Sequence, residues 1–183
     1  MADDFSIIGL LKQMVASLTG TLTTAAGASE NHIGKVGGES AVVGGTITRP
    51  ADTTAYASGD LVAASTTAAT VNGSPTSFAA ARINAGTGLI RRVRLSSSKT
   101  GLAGTEVFRI HFFKTAPTVA NGDNGVFSVN GVAALHLGYV DVTLDRVFTD
   151  GSKGIGVPAA GSDILFDAGA ATTSIFWLLE ARG

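Results

Sequence analysis

The sequence predicts a mainly β protein, an antiparallel β-sandwich of jelly-roll-like form with an N-terminal helix and an extended arm. Three observations predict it. Short apolar runs with two-residue alternation recur from about Val42 to the end of the chain. Clusters of turn-forming residues separate them, at Asn72-Gly-Ser-Pro75, Asn121-Gly-Asp-Asn-Gly125 and Asp150-Gly-Ser-Lys-Gly154. Helical periodicity is confined to residues 1–28. The expected organisation is therefore a helix and arm over 1–40 and one β domain over 41–183.

The N-terminal segment carries the helical signal. Ile7, Leu11, Met14 and Leu18 recur at helical spacing, and Phe5, Ile8, Val15 and Leu22 widen the stripe into an apolar face. Asp3 and Asp4 place negative charge where a helix start favours it. A helix of this length is marginal in water alone and must pack on its own domain, on other copies or on a partner. The tract from Thr19 to Gly38 is rich in Gly, Ala, Ser and Thr and reads as a linker or arm.

The strands follow in order. Val43–Arg49 is a first strand stopped by Pro50, and Asp60–Ala64 is a short second one. Leu89–Leu95 alternates so that Leu89, Arg91, Val93 and Leu95 share one face and Ile90, Arg92 and Arg94 the other. Glu106–Phe113 is the strongest, with Val107, Arg109, His111 and Phe113 on one side and Phe108, Ile110 and Phe112 on the other. Leu135–Leu144 and Ser174–Leu179 complete the set. Gly154-Ile-Gly156 reads as loop, because it lacks the third glycine and the following helix of a phosphate-binding turn.

Composition narrows the function classes. Of 183 residues only 15% are charged, the net charge is −1 and there is no cysteine. An ordinary domain carries about 25% charged residues, so Ser, Thr, Asn, Gly and Ala must cover much of this surface. The charge balance gives no general attraction to nucleic acid or to anionic membrane. Without cysteine there is no disulfide framework, thiolate metal site or cysteine nucleophile. The acidic Met-Ala-Asp-Asp start predicts cytoplasmic synthesis without export. The apolar stretch behind it, broken by Lys12 and Gln13, is too short to span a bilayer.

Catalytic patterns are sparse in the sequence. His32, His111 and His136 do not stand at metal-ligand spacing, and His111 and His136 read as packed or hydrogen-bonded side chains on a sheet face. No Gly-x-Ser-x-Gly elbow is present. Asp141, Asp145, Asp150, Asp163 and Asp167 are spread through the C-terminal half, so a glycosidase-type carboxylate pair stays open without a motif to support it. Asn121–Gly125 has oxygen ligands but lacks the glutamate of a calcium loop, and reads as a turn. No cofactor and no enzymatic activity are expected. The one local charge concentration is Arg91, Arg92 and Arg94. It reads either as a solvated, edge-protecting face or as a contact for an acidic partner surface.

A resemblance enters at Asn31-His-Ile-Gly-Lys-Val-Gly-Gly38 and at Thr46-Ile-Thr-Arg-Pro-Ala-Asp-Thr-Thr-Ala-Tyr-Ala-Ser-Gly-Asp-Leu-Val62. These stretches resemble tailed-bacteriophage virion proteins of the capsid decoration, cement or head-fibre type. The likeness extends over 31–183 and does not cover the N-terminal helix. It implies a β-sandwich on the capsid exterior, bound to the major capsid protein; a homotrimer is the natural geometry for bridging capsid subunits, and the charge balance predicts no nucleic acid or membrane partner. The candidate assembly and capsid contacts are Phe5, Ile7, Ile8, Leu11, Met14, Val15, Leu18, Arg92 and Arg94. The alternative is a phage fibre or adhesin module that binds host-surface glycans, and a polysaccharide hydrolase is a third possibility.

Overall fold

The computed structural model describes residues 41–51, 53–68, 77–130 and 133–183. The expected helix and arm, with Phe5, Ile7, Ile8, Leu11, Met14, Val15 and Leu18, lie outside the described residues. What is described is mainly β, arranged as several antiparallel sheets.

The central sheet joins β1 (Leu61–Val62), β12 (Ser174–Ala181), β5 (Val107–Phe113) and β8 (His136–Thr143) in that order, and β2 (Ser77–Ala79) also pairs with β12. The other ladders are β4 (Val93–Ser97) with β10 (Gly151–Gly156) and β9 (Arg146–Phe148), β3 (Thr87–Ile90) with β11 (Ile164–Asp167), and β6 (Thr118–Val119) with β7 (Val129–Asn130). A single 3-10 turn, Ala133–Leu135, precedes β8.

Alternation explains why the central strands sit where they do. Ile110 and Phe112 of β5, Val140 and Val142 of β8, and Ile175 and Trp177 of β12 bury on one face. Ile164 and Phe166 of β11 share that cluster, and Ile90 of β3 and Val93 and Leu95 of β4 pack against it. On the opposite face Phe113 and Leu178 join Leu61, Ala63 and Val119, with Phe127 and Val129 packed alongside. β12 thus buries apolar side chains on both faces, which is why Ile175-Phe-Trp-Leu-Leu179 reads as a continuous apolar run.

Four sequence expectations are corrected. Val43–Arg49 forms no ladder among the described residues. Gly44 and Gly45 weaken any strand there, and the segment is held by side chains instead. Asp60–Ala64 shrinks to Leu61–Val62, with Asp60 in an isolated bridge to Val126. Leu89–Leu95 is two strands in two sheets. Ile90 packs on the core in β3, whereas Val93 and Leu95 do so in β4, so the inward parity slips by one residue at Arg91-Arg92. Neither arginine is buried, so the break lies at the two residues that gain least from either face. Finally, Gly151–Gly156 is a strand, not a loop. It pairs with β4 from Ser152↔Ser97 to Gly156↔Val93.

Its glycines are what make β10 a strand here. A Cβ on Gly154 would collide with the carbonyl oxygen of Thr143, and one on Gly156 with that of Asp141. The β10 backbone therefore lies against the β8 backbone at a separation that no other residue permits.

Candidate functional site

Three constellations carry charge or chemistry. The first fastens the segment on which the resemblance rests. Asp123, in the loop between β6 and β7, has a fully buried carboxylate. It accepts from Tyr56 Oη at 2.7 Å, from the Ala63 amide at 2.7 Å and from Arg49 Nε and Nη2 at 3.3 Å. The Arg49 guanidinium also lies over the Tyr56 ring, 3.9 Å from its centroid. A turn closes just beyond, where the Asp60 carboxylate accepts from the Ala57 amide at 2.6 Å and Gly59 adopts φ 96°. The segment is thus clamped onto the core through side chains, in place of the ladder expected for Val43–Arg49.

The second lies on the face of the central sheet that carries Phe113 and Leu178. Glu180, His111 and His136 form a chain, with His111 Nε2 2.9 Å from Glu180 Oε2 and His111 Nδ1 3.2 Å from His136 Nε2. With the carboxylate as acceptor, the His111 proton sits on Nε2, and Nδ1 accepts from His136. The His111 ring stacks on Phe127 at 4.4 Å between centroids. Arg182 donates to the other Glu180 oxygen at 3.0 Å. Beside this chain Arg109 binds Asp141 through two bonds of 2.7 and 2.8 Å, and its guanidinium covers the Tyr139 ring at 3.8 Å.

A β-bulge assembles this face. Tyr139 and Asp141 stand opposite His111 and Arg109, but the register shifts between Phe112 and Phe113, which pair with Gly138 and His136. The extra residue flips the parity of β8 and brings His136 to the side of His111. Alternation in the sequence places Arg109 and His111 on one face, but it cannot supply the partners Glu180, His136 and Asp141. The bulge at Gly138, which has φ 143°, is the one local signal.

Titration on this face has a definite sign. Burial lowers His111 below its ordinary 6.5, outweighing Glu180, which raises it, and burial also lowers His136. The unfolded chain therefore binds more protons than the folded one as pH falls through 6.5, and stability declines in that direction. Asp141, lowered first by its bond to Arg109, and Glu106, lowered first by the Ala103 amide, contribute only further down, as pH falls through 3.8 and 4.5. The expected result is a lower Tm at pH 5 than at pH 7.5, with the difference reduced in His111→Phe. An equal difference in that variant would place the proton uptake elsewhere.

The third constellation contains Arg92 and Arg94. In the sheet β4-β10-β9, alternate residues bury Ser152, Gly154, Gly156, Val93, Leu95 and Ser97 wholly or partly, and Arg94, Ser96, Lys153, Ile155 and Arg146 between or beside them are exposed. Arg94 stands opposite Ile155, and Ser96, Lys153 and Arg146 form one row across the three strands. Continuing that register one step sets Val157 opposite Arg92. Arg92 and Arg94 are both exposed, and β4 is an edge strand.

Among the described residues, no group of three or more His, Cys, Asp and Glu side chains is placed to hold a metal ion. No described helix is long and apolar enough to cross a membrane, which says nothing of a β-barrel. Set beside known proteins, the chain matches no family model, no curated protein and no solved structure.

Proposed function

We propose that this chain is a structural, non-enzymatic virion protein. In this reading it binds the outer surface of a tailed-phage capsid and cements it by bridging major capsid protein subunits. The observation that carries this reading is the state of the carboxylates. Asp123 is held by Arg49, Asp141 by Arg109, Glu180 by His111 and Arg182, and Asp167 by Lys114. Each of these four carboxylates holds strands and loops together, which supports a scaffold role for it; Asp145, Asp150 and Asp163 are exposed and count as surface groups in this reading. The resemblance at Thr46–Val62 supports the choice of partner, and the Arg49–Tyr56–Asp123 clamp gives that segment a scaffold role.

In this reading the fold is a jelly-roll-like sandwich, and a homotrimer is the natural unit for bridging. A protein that binds only the assembled shell stabilises it by mass action, and symmetry multiplies each modest contact. Co-sedimentation with purified expanded heads tests this. The full chain is expected to pellet with heads, and a chain lacking residues 1–28 to pellet less. Failure of the full chain to bind would remove the capsid reading. The glycan-binding alternative is favoured by Tyr139, which is 47% exposed beside Arg109 and Asp141; glycan-array binding without head binding would select it.

A further inference from the structure

From the outward face of the β4-β10-β9 sheet we infer a docking surface for an acidic protein partner, contacted through Arg92, Arg94, Arg146 and Lys153 together with the exposed apolar side chains of Ile155 and Val157. The inference rests on the capsid reading and assigns the partner's contacting chemistry as carboxylate side chains.

The ladder pairing puts these side chains together. Arg146 and Lys153 are direct register partners, and Arg94 is the register partner of Ile155. Like charges directly opposed across a ladder destabilise it. Neither cation of that pair, nor Arg92 or Arg94, forms an ion pair among the described residues. The rows Arg92/Val157, Arg94/Ile155 and Ser96/Lys153/Arg146 contain no carboxylate. Elsewhere in the fold the opposite holds, since Arg49, Arg109, Lys114 and Arg182 are each matched to an acid. Among the described residues the cations of this face are therefore not matched by acids of the fold, although the chain as a whole carries a net charge of −1.

Its apolar part separates a protein partner from nucleic acid. Ile155 is 42% and Val157 64% exposed, and Ile155 stands directly opposite Arg94. Exposed apolar side chains set beside charged ones are the mixture found in protein–protein contacts. A phosphate backbone would use the cations alone, and single-strand binding would need aromatic side chains at these positions.

The test is the variant Arg92→Glu/Arg94→Glu/Arg146→Glu/Lys153→Glu in the full chain, with its Tm measured to show that it folds. Binding to expanded heads, to immobilised poly-L-glutamate and to a double-stranded DNA fragment is measured for it and for the parent at several NaCl concentrations. The parent is expected to bind heads and poly-L-glutamate with salt-sensitive affinity. The variant should lose on the order of 10- to 100-fold on both, the scale of several exposed ion pairs removed together. If the variant fails to fold, the four single Gln variants replace it, with weaker binding expected from each. Head binding that is unchanged by the substitutions overturns the docking face and leaves the capsid reading standing. Poly-L-glutamate binding lost in the variant, with no head binding by the parent, keeps the acidic-partner face and removes the capsid. Charge-dependent binding to DNA alone, or to none of the three, overturns the inference.

Discussion

Gly154→Ala is expected to destabilise the protein by about 3 kcal/mol, the upper end for a forced extra methyl group. In a domain of this size that is a fall in Tm of roughly 6–12 °C. The cause is backbone against backbone. The new Cβ would meet the Thr143 carbonyl, with Val142 Cγ1 at 2.8 Å behind it. A flexible side chain could move aside, but a carbonyl fixed in the β8 ladder cannot. Gly156→Ala should behave alike against Asp141. Gly44→Ala, with nothing within 4 Å, should change Tm by less than a degree or two and serves as the control. Thermal unfolding followed by circular dichroism checks all three, and similar midpoints for Gly154→Ala and Gly44→Ala would mean that β10 does not lie against β8.

Asp123→Ala is expected to cost about 3 kcal/mol as well, the range for removing one partner of a buried charged pair. The loss breaks several contacts at once. The bonds from Tyr56 Oη and the Ala63 amide at 2.7 Å and the ion pair of Arg49 with Asp123 are all removed. Tyr56→Phe, which removes a single bond, should cost about 1 kcal/mol. In a double-mutant cycle Asp123→Ala and Tyr56→Phe should be non-additive, because both changes remove the same Tyr56–Asp123 hydrogen bond. Limited proteolysis gives a second readout, with cleavage between residues 43 and 60 faster in Asp123→Ala. Additive effects, with no change in cleavage, would show that the clamp does not hold this segment.

Both predictions concern residues that the sequence presents as loop. Gly154-Ile-Gly156 has no β-branched or aromatic run to mark a strand, and Asp123 sits in an Asn/Gly/Asp cluster typical of a turn. Each acquires its role from a partner distant in sequence, Asp123 from Arg49 and Tyr56, 74 and 67 residues away. The same holds for the face built on β5. Arg109 and His111 are legible as neighbours on one side of a strand, but Asp141 lies 32 and Glu180 69 residues from the residue each binds.

The sequence by itself determined the class and the strongest strands. Mainly β structure, and the strands at Val107–Phe113, His136–Thr143 and Ser174–Ala181, follow from alternation and β-branched or aromatic content, which are local properties. Tertiary structure alone decided the rest. It split Leu89–Leu95 at Arg91-Arg92, because the two halves join different sheets and turn opposite parities to the same core. It turned a glycine-rich stretch into β10, because only a backbone without side chains fits against β8. It also gathered Arg94, Lys153 and Arg146 onto one face, because a ladder joins residues by register rather than by distance along the chain.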